Sequence, residues 1–293
     1  MTLQDIKPGV VPGSDGAGII TSIGSNITAF KVGDRVLTSL CPYVPDDQAL
    51  LMPDINAGLG HKFDGTLRTH AHFHHTAVVH APANVSFAGA ATLTCSGLTA
   101  WNALFGLAGR EVKAGDWVLV QGTGGVSIAA LQFAVAAGAN VVATTSTDAK
   151  AARLRELGAM QVLNYRESLD WGVAARNLTP DKRGLDFVVD MGGDATLQQS
   201  LAAVRTDGVV VLAGILGTAE PVPMMSALWH SCIVRGLFLG TRQQMRQMVA
   251  FIETHDVRPA LDEVRFGIQD VKEAYRRLQE QKHFSKVIVE LRG

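Results

Sequence analysis

The sequence predicts an α/β chain in which a doubly wound parallel sheet follows a shorter β-rich domain. Three observations carry that prediction. Residues 1 to about 82 are rich in Gly, Pro, Val and His, with short strand-like stretches at 18–23 and 34–37; such loop-heavy material suits a small β domain. From Ala88 onward strands and helices alternate, which is the pattern of βαβ units. The 293 residues, 47% of them hydrophobic, suffice for two cores.

The apolar, β-branched run 117–121 fits a strand buried on both faces. Gly122, Gly124 and Gly125 crowd the positions after it, and the alanine-rich stretch 127–137 is helical. Strand, glycine turn and helix in one unit make a dinucleotide-binding turn. The glycines let the backbone approach a pyrophosphate closely, and the helix N-terminus offers it unpaired N–H groups. The predicted cradle is Gly122, Thr123, Gly124, Gly125 and Val126; the usual third glycine is Ser127, still small enough for close helix–strand packing.

A second strand covers 141–145. At its end an acid would hold the ribose of NAD, but the chain has Thr144, Thr145, Ser146 and Thr147, with Lys150 and Arg153 beyond. Hydroxyls with a nearby cation suit a 2′-phosphate, which a carboxylate would repel. This favours NADP(H), with Thr145, Ser146 and Lys150 as contacts; Lys150 also fits a solvated helix face. Asp148 suits the first turn of a helix at 148–157, closed by Gly158. A strand at 161–165 follows, then a strand at 185–190, a helix at 195–204, a turn at 205–208, and strands at 209–213 and 232–239. Two such halves put a ligand at the crevice between the first and fourth strands. Helices at 242–254 and 268–280 precede a terminal strand, 286–291, expected to pair back into the first domain.

A net charge of −1 gives no reason to expect nucleic acid or an anionic membrane as partner. Cys41, Cys95 and Cys232 are too scattered for a disulfide framework and fit a reducing compartment. With no charged-then-apolar leader and no charge-free run of spanning length, the expected location is cytoplasmic.

The ordered motifs Gly9-Val-Val-Pro-Gly-Ser-Asp-Gly-Ala-Gly18, Val32-Gly-Asp-Arg-Val36, Thr99-Ala-Trp101, the glycine turn, Leu157-Gly-Ala159, Asn164-Tyr165 and Lys286-Val287 resemble the medium-chain dehydrogenase/reductases over essentially the whole chain. The closest likeness is to their zinc-free quinone-oxidoreductase-like and alcohol-dehydrogenase-like branches. The resemblance implies a GroES-like domain at 1–95 and 241–293 and a Rossmann domain at 96–240. It implies hydride transfer to a carbonyl, a quinone or an activated C=C bond of a small-molecule substrate. Thr99 would lie near the nicotinamide, its other reading being a helix-start residue bonded to backbone. Tyr165 would flank the adenosine phosphate, and Ala213, Gly214, Ile215, Phe238, Leu239 and Gly240 would line the nicotinamide ribose. Relatives pair through the outermost Rossmann strand, here 232–239, so a homodimer is expected.

Two departures stand beside the match. Zinc-bearing relatives place a His after the glycine of the early motif, where this chain has Ser14 and then Asp15; Cys95 falls where they hold another ligand. A catalytic zinc wants three protein ligands, and the cysteine-rich lobe has no counterpart beyond Cys41, so no metal is expected and Cys95 is read as a small buried hydrophobe. Relatives also carry several strands of chain before the Pro-Gly motif, which here begins at Pro12. A substrate cleft short of one wall, and so open to water, is the expectation.

His61, His70, His72, His74, His75 and His80 are six of the nine histidines. On a strand at 67–73, His70, His72 and His74 would share a face and could take zinc, copper or nickel. No carboxylate within the run orients a ring, and the stretch from Gly65 resembles a structural strand of the family; a partly exposed strand face is the preferred reading. Three functions follow in order: an NADPH-dependent, zinc-free reductase of an α,β-unsaturated carbonyl or quinone; a carbonyl/alcohol oxidoreductase of the same family; and a nucleotide-binding protein without redox activity. No catalytic acid is assigned.

Overall fold

The computed structural model describes residues 6–215, 217 and 219–291. The chain divides into two compact units, one running up to Leu98 and resuming at Phe238, the other spanning Thr99–Leu237.

In the first unit β1 (Ala17–Ile19), β2 (Arg35–Thr38) and β3 (Val78–His80) form an antiparallel sheet in that order. The central strand buries Val36, Leu37 and Thr38. A short helix α1 (Met52–Asn56) lies between β2 and β3 in the chain. α2 (Phe87–Ala91) starts at Ser86, whose hydroxyl accepts from the Gly89 N–H. A π turn at Leu93–Gly97 then leads into α3 (Leu98–Phe105).

The strand expected at 67–73 does not form. The chain bends there because the Arg68 N–H turns back on the Thr66 carbonyl at 2.7 Å and its guanidinium on the Gly65 carbonyl at 3.0 Å. His70, His72 and His74 therefore share no strand face. His74 Nδ1 lies 2.7 Å from Thr76 Oγ1, and His80 Nε2 lies 3.1 Å from Asp34 Oδ2.

The second unit contains β4 (Trp117–Gln121), α4 (Gly125–Ala136), β5 (Asn140–Thr145), α5 (Asp148–Glu156), β6 (Gln161–Asn164), α6 (Trp171–Asn177), β7 (Leu185–Asp190), α7 (Leu197–Ala203), β8 (Val204–Leu212), α8 (Ser226–Trp229) and β9 (Ile233–Gly236). Its strands are parallel in the order β6-β5-β4-β7-β8-β9. That is the doubly wound order, reversing between β4 and β7. Val118, Leu119 and Val120 of β4 and Val188 and Val189 of β7 are fully buried, as strands covered on both faces require. Trp171 and Ala175 of α6 and Leu201 of α7 belong to the core with Leu119 and Val188. The turn expected at 205–208 lies inside β8. Asp207 takes a positive φ of 60°, pairing shifts register between Leu185 and Phe187, and the strand bends without ending.

The chain returns to the first unit with α9 (Arg242–Thr254), which opens on a capping box between Thr241 and Gln244 and buries Met245, Met248 and Ile252. β10 (Leu261–Gly267), α10 (Val271–Gln279) and β11 (Lys286–Glu290) follow, with β11 parallel to β10. The terminal strand thus pairs with β10, not with the β1–β3 sheet. Sequence reasoning missed β10 because Asp262, an acid, occupies an inward position. The Asp262 carboxylate is wholly buried and accepts from Arg277 Nε at 2.8 Å, the Phe284 N–H at 2.8 Å and the Val264 N–H at 2.9 Å.

Burial works against the ionised form of Asp262, but these donors outweigh it and hold the carboxyl below its usual 3.8. Its stabilisation is therefore present above that value and lost as pH falls through the lower, folded value. Asp262→Asn should cost about 3 kcal/mol near neutral pH, since it breaks the buried pair and leaves Arg277 only the exposed Glu263 at 3.6 Å. In urea unfolding the gap to wild type should narrow below about pH 3.8; a gap that stays constant to pH 2 contradicts this.

Candidate functional site

The site is built on the turn after β4. Gly122 takes φ +75°, a conformation that disfavours side chains, and its N–H donates to the Thr144 carbonyl of β5 at 2.9 Å. Gly124 caps α4 without a side chain to satisfy the helix's first N–H groups. A Cβ on Gly122 or Gly124 would meet no atom within 4 Å. The turn is therefore open above its backbone, and the free N–H groups with the positive end of the helix dipole suit an anion. Ser127 does more than stay small: its buried hydroxyl donates to the Gln121 carbonyl at 2.6 Å, pinning the start of the helix to the end of the strand.

Behind the turn sits a buried polar network that sequence reasoning missed. Asp190, at the end of β7, accepts at Oδ2 from Gln121 Nε2 at 3.2 Å and Ser200 Oγ at 2.5 Å. At Oδ1 it accepts from the Gly192 and Gly193 N–H groups at 3.0 and 2.9 Å and from Thr196 Oγ1 at 2.7 Å. Gln121 Oε1 in turn accepts the Met191 N–H at 3.1 Å. The available signal was a polar residue closing each of two otherwise apolar strands, Gln121 on β4 and Asp190 on β7.

The loop after β8 folds onto the same edge. The Ala213 N–H donates to the Asp190 carbonyl and the Gly217 N–H to the Gly192 carbonyl, both at 3.0 Å. A Cβ on Gly214 would come within 2.4 Å of the Met191 carbonyl oxygen, so glycine alone fits there. Ile215 is exposed. At the end of β5, Thr144 and Thr145 are buried, and the Thr147 hydroxyl caps α5 by accepting the Lys150 N–H. Ser146 is left half-exposed with its hydroxyl unengaged among the described residues. Tyr165 is tied alongside by its N–H to the Thr145 carbonyl at 3.1 Å.

The predicted residues from Gly122 to Ile215 thus gather at the C-terminal edge of one parallel sheet. Thr99 is buried in α3. Phe238, Leu239 and Gly240 belong to the other unit, where Gly240 packs against Leu98 and Gln244.

That other unit holds a second polar cluster. Asp15 accepts from Ser14 Oγ at 2.8 Å and from Lys286 Nζ at 2.7 Å. Thr66 Oγ1 donates to the Asp15 carbonyl at 2.8 Å, Thr38 Oγ1 to the Ser14 carbonyl at 2.6 Å, and Thr94 Oγ1 to the Thr38 carbonyl at 2.9 Å. Burial disfavours the Lys286 charge, yet the neighbouring Asp15 and Cys95 raise its pKa above the usual 10.5. Burial, with the charges of Asp54 and Cys95, pushes the Cys41 thiol up to about 12. Among the described residues no three His, Cys, Asp or Glu side chains are grouped to hold a metal.

Residues 2–83 match the "Alcohol dehydrogenase GroES-like domain" family, and residues 125–254 the "Zinc-binding dehydrogenase" family. A "Zinc-type alcohol dehydrogenase-like protein" of Schizosaccharomyces pombe is 40% identical over 291 residues, covering 96% of this chain and 82% of its own. A crystal structure from Sinorhizobium meliloti 1021, described as a candidate alcohol dehydrogenase, superposes with a TM-score of 0.89 at 34% identity, covering 99% of this chain and 87% of that one. A crystal structure described as an NAD-dependent alcohol dehydrogenase gives 0.84 at 26% identity, covering 97% and 84%. With the doubly wound sheet, the open glycine turn and the β-rich unit already in place, these likenesses mean that the chain belongs to the medium-chain dehydrogenase/reductase superfamily of alcohol dehydrogenase-like oxidoreductases.

Proposed function

We propose that the chain is an NADPH-dependent reductase of an α,β-unsaturated carbonyl or quinone that works without zinc. The observation that carries this reading is the open turn at the start of α4 beside a strand end furnished with hydroxyls and lacking an acid. The N–H groups of Thr123, Gly124, Gly125 and Val126 would hold the pyrophosphate, with Gly122, its own N–H bonded to the Thr144 carbonyl, shaping the turn beneath it. Ser146, with Thr145 and Lys150, would take the 2′-phosphate, a ligand that a ribose-binding acid would repel. Tyr165 would flank the adenosine, and Ala213, Gly214 and Ile215 the nicotinamide ribose. Thr99, Phe238, Leu239 and Gly240 rest on the family resemblance alone. So do the domain limits 1–95 with 241–293 and 96–240. When bound, the coenzyme supplies a hydride.

Zinc does not fit the donor set. Asp15 is already engaged by Lys286 and Ser14. Among the described residues no three His, Cys, Asp or Glu side chains are grouped, whereas a catalytic zinc wants three protein ligands. Reduction of a conjugated C=C bond asks less of the protein than reduction of an isolated carbonyl, because an enolate can be held by hydrogen bonds alone. The second reading, a carbonyl/alcohol oxidoreductase, is supported by the names of the relatives. Incubation with NADPH and a generic enone separates them: mass spectrometry should find the saturated ketone. An allylic alcohol would favour the second reading, and coenzyme binding without consumption across enones, quinones and aldehydes would leave a non-redox nucleotide-binding protein.

Coenzyme choice is testable on the folded protein by fluorescence titration. Ser146→Asp should weaken NADPH about tenfold or more and favour NADH, a shift on the order of 1.4 kcal/mol or more. Gly124→Val, whose side chain would project into the open space, should weaken both coenzymes while Tm falls only by the few degrees that a poorer helix cap costs. Equal NADPH affinity in all three proteins contradicts the placement.

We further propose a homodimer through the sheet edge. Among the described residues β9 pairs with β8 on one side only, and the preceding segment exposes Met224 (95%), Leu228 and Trp229 (77%), an apolar grouping that marks association surfaces. Trp229→Glu should give a monomer at micromolar concentration by ultracentrifugation; a monomeric wild type contradicts the proposal. Among the described residues no helix is long and apolar enough to cross a membrane. A cytoplasmic location, in keeping with three cysteines of which none forms a disulfide among the described residues, is part of the same reading.

A further inference from the structure

A cavity of about 270 Å3, part of it open to solvent, lies wholly within the first unit, between the end of β2, the segment 44–50 and the start of α9. Leu40, Val44, Pro45, Leu50, Leu98 and Leu239 give it apolar walls. Ser39 differs from them. It lines the cavity and is only 8% exposed, yet among the described residues its hydroxyl has no hydrogen-bond partner. The polar groups that α9 brings to the wall are already engaged. Thr241 and Gln244 close the capping box on each other, and the Gln243 N–H donates to the Asp46 carbonyl at 2.9 Å. Arg242 donates from Nε to Asp46 Oδ1 at 2.8 Å and from its two Nη atoms to the Thr76 and Val44 carbonyls, both at 2.9 Å. An anion would find the donors of this helix start taken, so the lining suits an uncharged occupant.

The segment 44–50 roofs the cavity. Among the described residues every hydrogen bond or ion pair it makes with another element goes to the start of α9, through Arg242, Gln243 and Arg246. Just before it, the Tyr43 N–H donates to Thr76 Oγ1 at 3.2 Å; just after it, the Leu51 N–H donates to Asp54 Oδ2 at 2.8 Å. The segment is therefore pinned at both ends and latched once between them. The latch pairs a buried guanidinium, 10% exposed, with a carboxylate that is 45% exposed. Water and salt reach the carboxylate, which makes such a pair weak enough to open and close.

We propose that this cavity binds a small uncharged molecule with an apolar body and one hydrogen-bonding oxygen, anchored by Ser39, and that residues 44–50 form a strap over it that lifts when Asp46 and Arg242 part. Neither the site nor the strap depends on the reductase reading, since the coenzyme turn belongs to the other unit.

Cys41 reports on the strap. It lines the cavity, is 5% exposed, and its thiol is pushed up to about 12 by burial, so it should react with iodoacetamide only when the cavity opens. Cys232, in the other unit, is the reference within the same chain. Alkylation of each cysteine in the full-length protein is followed by peptide mass spectrometry. Asp46→Asn should speed alkylation of Cys41 about fivefold, the scale of a partly exposed ion pair, and leave Cys232 unchanged. Added salt should speed Cys41 in wild type and have little further effect in Asp46→Asn. Millimolar cyclohexanol should slow Cys41 in wild type, and cyclohexanecarboxylate should not. Ser39→Ala should leave the rate without additive unchanged and weaken the cyclohexanol effect at least about threefold, as loss of one hydrogen bond requires. An unchanged Cys41 rate in Asp46→Asn, or an increase that Cys232 shares, would overturn the strap. Absence of protection by cyclohexanol, equal protection by the carboxylate, or full protection in Ser39→Ala would overturn the site.

Discussion

The arrangement of the second unit depends on one buried carboxylate. Asp190 receives five hydrogen bonds, from Gln121, Ser200, Thr196 and the N–H groups of Gly192 and Gly193. It sits where the strand order reverses between β4 and β7, the place at which a doubly wound sheet opens a crevice. Reversal means that the helices after these strands leave toward opposite faces, so nothing in the sheet ladder itself fixes the two loops relative to each other. The carboxylate does so instead. Unpaired in an apolar interior it would cost several kcal/mol; fully paired, it specifies one arrangement of both strand ends.

That arrangement explains how the glycine turn can be both open and rigid. Gly122 is tied to Thr144 on the β5 side, and Ser127 is tied to Gln121 beneath the helix. Every one of these bonds lies on the protein side of the turn, leaving the N–H groups of the first helical turn directed away. A ligand then meets donors already in position, and little conformational freedom is lost on binding. The same economy extends to the loop after β8, where Gly214 allows the backbone to lie against the Met191 carbonyl.

How much of this was legible follows from where the side chains carry their pattern. The strands 117–121, 141–145 and 185–190 announce themselves as continuous apolar runs because both faces are covered. The glycine turn is visible because only backbone chemistry is at stake there. β10 escaped because Asp262 faces inward and is satisfied, beyond its neighbour Val264, by Arg277 and Phe284, which lie 15 and 22 residues away. The histidines at 70, 72 and 74 misled in the opposite sense: a period of two was present, but the Arg68 turn-back denied it a strand. The Gln121–Asp190 network was half visible, as two polar strand ends, yet their meeting requires β4 and β7 to be neighbours across 69 residues of sequence. Ser127 was read as a tolerated replacement when its hydroxyl is a structural bond.

The small β10–β11 sheet bears on the division between buried and hydrated charges. Leu261, one residue before Asp262, pairs in register with Lys286, so an ion pair arises on each strand at the same end of the ladder. Asp262 and Arg277 form a closed pair: the carboxylate is wholly buried, and two backbone N–H groups complete its shell. Asp15 and Lys286 form an open one, with the carboxylate's oxygens both occupied and the ammonium only partly used. The partly exposed ammonium completes its shell with water, so the open pair loses less hydration on folding than the closed one, whose carboxylate must find every partner within the protein.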